Sequence, residues 1–160
     1  MTTVSDQPTI DLRSRLARDG FVLIKSALSI DQVEALRNEC EQITRVARSG
    51  RWPFVRTLPK PFPPWNSDVS HGIWGVQHML HPDLPGRDIL AESYFAPFIV
   101  DAVTNILDCE VDDLVMELYN LLVRPDFDFA LPWHRDDITP DTTDEQEHSR
   151  LHEPILHTQW

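Results

Sequence analysis

Apolar residues follow a helical spacing most clearly in the stretch that begins at Ser29. Ser29 and Gln32 have the form of a capping box, in which each side chain bonds the backbone N–H of the other residue. The apolar positions behind them recur at three- and four-residue spacing, and Gly50 ends the pattern; they are Val33, Leu36, Cys40, Ile43 and Val46. This stretch therefore predicts an amphipathic helix with one buried face.

Three further helices are predicted from weaker signals. The first spans residues 10–18, with Thr9 as its cap and Gly20 just past its end. The second spans residues 88–95, and Pro97 suits the first turn of the third. That third helix has a wide apolar face, formed by Phe98, Ile99, Ala102, Val103, Ile106 and Leu107.

Compact apolar runs predict strands elsewhere. Residues 21–24, 73–79 and 114–123 have the length and composition of strands, and residues 155–160 look like the start of another. Asn120 interrupts the third run, and a polar residue in a buried strand must find a partner. It either bonds to neighbouring backbone or reaches a polar ligand in a cavity.

Prolines dominate residues 52–65 and exclude a regular helix or a central strand there. We expect a loop draped over the domain and held by Trp52, Phe62 and Trp65. The alternative is that Pro61 and Pro64 form a polyproline ligand for an SH3-type partner.

Length and charge narrow the class of protein. A chain of 160 residues favours one domain with a real core, and its net charge of −12 argues against nucleic-acid binding and against docking to an anionic membrane. The apolar runs are too short to span a bilayer. The two cysteines cannot make a disulfide framework, so we expect a reducing, cytoplasmic location.

The main candidate for chemistry is the pair His134 and Asp136. If the segment is extended, both side chains lie on one face and can hold one side of a divalent metal ion. A third ligand from another strand would complete the 2-His-1-carboxylate triad of non-haem Fe(II) oxygenases. Such a pair is common by chance. The other histidines near residues 71–81 are better explained as structural, because no zinc-type spacing is present.

Several stretches, taken in order, carry a resemblance to a known family. They are Arg-Asp-Gly-Phe-Val-Leu-Ile at 18–24, the helix start at 31–36, the Asn120 segment followed by Trp-His-Arg-Asp at 133–136, and Gln159-Trp160. Together they resemble the phytanoyl-CoA dioxygenase family of Fe(II)- and 2-oxoglutarate-dependent oxygenases.

The resemblance implies a mainly β fold, a double-stranded β-helix (jelly roll) with flanking N-terminal helices. Within a single domain over residues 1–160, residues 1–110 would form the helical region with short strands. Residues 111–160 would form the first part of the jelly-roll core. Residues 137–154, rich in acidic side chains, would form a loop over the mouth of the active site.

The resemblance also implies the site. His134 and Asp136 would be catalytic iron ligands, while Asn120 and Trp160 would contact 2-oxoglutarate and Gln77 would line the same cavity. The reaction would use O2 to hydroxylate a small organic molecule, with Fe(II) as cofactor and 2-oxoglutarate as co-substrate. Trp133 would point away from the iron and serve packing.

The family also needs a distal histidine and an arginine, which we expect after Trp160, so the sequence indicates a truncated and catalytically incomplete domain. The alternative is an inactive family member that acts as a binding module. In either case, completing the sheet would require the C-terminal part or a partner chain, and the oligomeric state is left open. We expect His148, His152 and His157 to be poor replacements for the missing ligand.

Overall fold

The structure is a computed structural model. The residues it describes are 11–60, 62–126, 128–131, 133, 134, 136, 138, 139, 141–150, 152–154 and 156–160. Its helices are α1 (Leu12–Asp19), α2 (Ile30–Arg48), α3 (Arg87–Tyr94), α4 (Pro97–Leu107) and α5 (Asp144–Arg150), with a 3-10 turn at Val111–Asp113. Its strands are β1 (Val55–Thr57), β2 (Ile73–Val76) and β3 (Leu121–Leu122).

The predicted jelly roll is wrong. Over the described residues the fold is mixed, with five helices (39% helical) and a small three-stranded antiparallel sheet (7% strand). The predicted run 114–123 supplies only the two residues of β3, and residues 21–24 form no strand. Phe21 is 67% exposed, and no described strand lies beside it to form hydrogen bonds with its backbone N–H and C=O groups.

The C-terminal region also differs from the prediction. The expected loop at 137–154 contains helix α5, whose first turn is acidic and suits the positive end of the helix dipole. The described residues of the run 155–160 form no strand. Ile155 lies outside the described residues, as do Arg135 and Asp137.

The chain divides into two compact units, and each is described separately. Unit 1 comprises Met1–Ala27, Phe95–Val115 and Pro154–Trp160. Unit 2 comprises Leu28–Tyr94 and Met116–Glu153.

Unit 1 is built on the contact between α1 and α4. Asp11 caps α1 by accepting the backbone N–H of Ser14 at 2.9 Å, and the hydrogen bonds from Ser14 lower the pKa of that carboxyl. The predicted cap Thr9 lies outside the described residues. Gly20 ends α1 in the left-handed conformation (φ 77°), as predicted, and Pro97 occupies the first turn of α4.

Helix α2 of unit 2 confirms the capping-box prediction. The Ser29 hydroxyl accepts the Gln32 N–H at 3.2 Å, and the Gln32 side chain accepts the Ser29 N–H at 2.9 Å. The helix buries Ile43 and Ala47 completely. Since only one side of the helix is buried, its remaining residues are free to be polar.

The sheet of unit 2 has the strand order β1-β2-β3, with both pairs antiparallel. Gly75 of β2 lies opposite Arg56 on one side and Leu122 on the other. The sheet and α2 enclose the main core, which consists of Ile43, Ala47, Trp52, Val55, Ile73, Val76, Met79, Leu84, Leu90 and Val123. Strand β1 lies between Pro53 and Pro59. It is an edge strand, and an edge position in a sheet tolerates nearby prolines.

No single described helix is long and apolar enough to cross a membrane. Helices α3 and α4 satisfy the length and composition criteria only when taken together across the break between them.

Two identical substitutions on α2 test the position of the core. Ile43 is fully buried and Ile30 is 77% exposed. We expect Ile43→Ala to lower the free energy of unfolding by about 2–5 kcal/mol through lost burial and a residual cavity. Ile30→Ala should change it by less than about 0.5 kcal/mol. Urea unfolding followed by tryptophan fluorescence measures both, and equal effects would contradict this position of the core.

Candidate functional site

The most unusual polar group of unit 2 is the guanidinium of Arg56, on strand β1. Its central carbon lies 5.1 Å from the ring centroid of Trp65 and 4.9 Å from that of Trp74. Both distances fall within the range of a cation–π interaction. The two rings are themselves 6.3 Å apart and nearly perpendicular, so one charged group lies against both of them.

The sheet register explains how Arg56 reaches this position. Gly75 lies opposite Arg56, and a Cβ atom there would be 3.0 Å from Arg56 Cδ and 3.3 Å from Cγ. Because glycine has no Cβ, the aliphatic stem of Arg56 can cross β2 at close range. Trp74 is the neighbour of Gly75 and is fixed by its indole N–H, which donates to the Lys60 carbonyl at 3.2 Å.

The second tryptophan comes from the proline-rich segment 52–65. Trp52 anchors the start of that segment, since it is only 6% exposed and its indole N–H donates to the Gln77 carbonyl at 3.0 Å. Trp65 is half-buried at its end. Phe62 is exposed and lies edge-on to the His134 ring, with 6.2 Å between the ring centroids. Pro61 of the alternative SH3 motif lies outside the described residues.

Asn120 lies next to the guanidinium of Arg56. It belongs to the segment that leads into β3. This segment runs beside the end of β2, since Met79 N–H donates to the Tyr119 carbonyl at 3.0 Å. The Asn120 amide has two possible orientations. In one its oxygen accepts the His78 N–H at 3.3 Å. In the other its oxygen accepts from Arg56 Nη2 at 3.3 Å and its nitrogen donates to the Tyr119 carbonyl at 3.2 Å.

We adopt the second orientation of Asn120, because it gives both ends of the amide a partner. Asn120 then bonds to neighbouring backbone, which was one of the two sequence alternatives, and also to a charged side chain. It fixes one edge of the Arg56 guanidinium.

Burial and a nearby negative charge have opposite effects on the guanidinium of Arg56. Burial lowers the pKa of the guanidinium below its ordinary value, and the negative charge of Asp136 opposes that effect. Nε of Arg56 and Nε1 of Trp65 are buried, and neither has a hydrogen-bond partner among the described residues. Buried donors without acceptors are rare in folded proteins, so these two need an explanation.

The side chains of His134 and Asp136 lie close together, with His134 Nε2 and Asp136 Oδ1 3.1 Å apart. The prediction that strand alternation places them on one face is wrong. Neither residue is in a strand, and Asp136 lies in a turn. The side chains are 39% and 55% exposed, so a ligand from solvent can reach both.

The remaining predicted site residues have different surroundings. Gln77 is half-buried at the end of β2, where its N–H donates to the Phe54 carbonyl at 2.9 Å. Trp160 belongs to unit 1 and is 59% exposed. The proposed roles of Gln77 and Trp160 towards 2-oxoglutarate stay predictions. Trp133, predicted to pack, is fully exposed, so that prediction is wrong.

His78 and His81 of unit 2 make ordinary ring contacts. His78 packs edge-on against Phe54 at 4.8 Å between centroids, and His81 packs edge-on against Trp52 at 5.3 Å. Within the described part of the chain, no group of three or more His, Cys, Asp or Glu side chains converges as a metal site. The pair predicted from the sequence to bind a metal ion is His134 and Asp136.

Arg56 is not among the site residues predicted from the sequence. The sequence does contain a signal for its role. Arg56 lies between Val55 and Thr57 in a short run typical of a strand, and tryptophans flank that run in sequence. A strand that carries a cation among aromatic residues favours stacking of the cation on the rings.

No family model matches the chain, and neither a curated protein nor a solved structure matches it. The resemblance to phytanoyl-CoA dioxygenases therefore stays a prediction that rests on the sequence motifs.

The hydrogen bond between Asn120 and Arg56 can be tested by removing the amide. We expect Asn120→Ala to lower the free energy of unfolding by about 1–3 kcal/mol, because a hydrogen bond to a charged group is lost. Asn38→Ala is the control, since Asn38 is exposed on α2. Chemical denaturation measures both variants. An Asn120→Ala protein as stable as the control variant would show that the bond does not stabilise the fold.

Proposed function

We propose that this chain contributes two iron ligands, His134 and Asp136, to the site of a 2-oxoglutarate-dependent oxygenase that hydroxylates a small organic molecule. The observation that carries the proposal is the 3.1 Å separation of His134 Nε2 and Asp136 Oδ1, with both side chains reachable from solvent. The motif order along the sequence supports the same class of reaction. The proposal rests on this site and does not depend on a jelly-roll fold.

The two side chains fit a divalent ion in chemistry and spacing. Imidazole nitrogen and carboxylate oxygen are the donors used by non-haem Fe(II) sites. Donors about 2.1 Å from an ion on adjacent octahedral positions lie about 3 Å apart, close to the separation of these two atoms. The His134–Asp136 contact would be exchanged for bonds to the ion, so metal and contact compete.

Neighbouring residues would prepare the site. Phe62 lies edge-on to the His134 ring, with 6.2 Å between the ring centroids. The negative charge of Asp136 acts on the guanidinium of Arg56. Fe(II) with 2-oxoglutarate and O2 would supply the oxidising chemistry. Asn120 and Gln77 of unit 2 are the proposed contacts of 2-oxoglutarate.

A second candidate function is a binding module without oxygenase activity. The observation that favours it is the apolar exposure beside and within the edge strand β3, where Leu118 is 63% and Leu122 is 68% exposed. An edge strand with apolar side chains can accept a further strand. Metal binding separates the two candidates, because a binding module of this kind needs no iron ligands.

Anaerobic equilibrium dialysis of the 160-residue chain against Fe(II) tests the proposed function. We expect His134→Ala and Asp136→Ala each to weaken Fe(II) binding by more than about tenfold, because each removes a direct ligand. His71→Ala is the matched control, since His71 is exposed in the same unit, and it should bind Fe(II) like the unchanged chain. Equal Fe(II) binding by all three variants and the unchanged chain would refute the proposal and favour the binding module.

A further inference from the structure

The C-terminal end of helix α5 brings two histidines together. The rings of His148 and His152 have their centroids 5.0 Å apart, and their planes meet at 57°. Both residues are exposed, and both belong to unit 2. Neither is a residue of the candidate site. Imidazole is the commonest metal ligand among protein side chains, so an exposed pair of this kind can bind an ion from solvent.

The start of α5 fixes the position of these histidines on the helix. Thr143 Oγ1 accepts the Gln146 N–H at 3.3 Å, and Gln146 Oε1 accepts the Thr143 N–H at 3.0 Å, which is a capping box. Beyond the helix, the His152 N–H donates to the Ser149 carbonyl at 3.1 Å, so the chain continues its turn. His152 therefore follows His148 by four residues, the spacing at which side chains on a helix meet on one face.

The separation of the two rings matches that of two imidazoles on one metal ion. Zn–N bonds are about 2.0–2.1 Å long, and the centre of an imidazole ring lies about 1.2 Å behind its nitrogen. Two imidazoles at a tetrahedral angle on one zinc ion therefore have centroids about 5 Å apart. The rings of His148 and His152 already have this separation. Because both side chains are exposed, each can turn one nitrogen towards a common ion without displacing a core residue.

We propose that His148 and His152 bind a late first-row transition-metal ion, Zn(II) or Cu(II), through one imidazole nitrogen each. Imidazole suits ions of this class, and the affinity of nitrogen ligands is higher for Cu(II) and Zn(II) than for Fe(II). The acidic first turn of the same helix adds negative charge that favours a cation. The inference goes beyond the proposed function and does not rest on it, because the pair shares no residue with His134 and Asp136.

A bound ion would stabilise helix α5. The helix has seven residues and none of them is buried, so core packing contributes little to its stability. The ion joins two successive turns only while the segment is helical, and a ligand that binds one conformation stabilises that conformation. Metal binding at this pair is therefore linked to the stability of α5.

Isothermal titration with Zn(II) in a weakly coordinating buffer tests the inference. The parent protein is the 160-residue chain with His134→Ala, which removes one of the proposed iron ligands. We expect the parent to bind Zn(II), and His148→Ala or His152→Ala added to it to weaken binding by about tenfold or more, because each removes a direct ligand. Mg(II) should not compete, because it prefers oxygen donors. A parent that does not bind Zn(II), a variant that binds it unchanged, or competition by Mg(II) would each overturn the inference.

A double substitution separates the spacing of the histidines from their number. Arg150→His combined with His148→Ala keeps two histidines but places them two residues apart, where helical side chains do not face each other. Losing the positive charge of Arg150 would by itself favour a cation, so weaker binding must come from the spacing. We expect this protein to bind Zn(II) as weakly as His148→Ala alone, and binding as tight as the parent's would contradict the inference. His71→Ala is the matched control, since His71 is exposed in the same unit, and it should bind like the parent.

NMR of the unchanged chain covers the case in which a variant does not fold. The imidazole resonances of His148 and His152 should shift together as Zn(II) is added, and amide hydrogen exchange in α5 should slow. If only one ring responds, or if exchange in α5 stays the same, the ion does not join the two turns and the inference is wrong. Failure here is distinguishable from failure of the proposed function, because Fe(II) dialysis follows His134 and Asp136 and these resonances belong to other residues.

Discussion

The contact on which the site depends is the cation–π contact of Arg56 with Trp65 and Trp74, two rings that lie 6.3 Å apart and nearly perpendicular to each other. Moving a guanidinium out of water is costly unless its charge and donors are compensated. A cation–π contact contributes only about 0.5–2 kcal/mol, so stacking alone is not enough. Asn120 supplies one acceptor and Asp136 a nearby negative charge. Compensation of the Arg56 charge therefore involves the proline-rich segment, the three strands and the residues that follow them.

Local signals predicted most of the helices. The capping box at Ser29 and Gln32, the glycine after α1 and the proline that opens α4 act within one or two turns of the chain, so the sequence contains the whole cause. The strand predictions were less accurate than the helix predictions. Residues 114–123 are apolar enough for a long strand, yet only Leu121 and Leu122 pair with β2. Pairing depends on a partner strand from a distant segment, which periodicity does not reveal.

The candidate site was half predictable, for a similar reason. The spacing of His134 and Asp136 identified the pair, although a turn rather than a strand brings them together. Arg56 carries no motif. Its environment is made by two tryptophans from other segments and by a glycine on the opposite strand, and these meet only when the sheet forms. Arg56 is therefore the central residue of the site, although no sequence motif marks it.

Nuclear Overhauser effects report directly whether Arg56 contacts both indole rings. We expect cross-peaks from the Arg56 Cδ protons to the ring protons of both Trp65 and Trp74, with the Cδ protons shifted upfield by the ring currents. Arg56 Cδ protons at random-coil shifts, with no cross-peak to either indole, would contradict it.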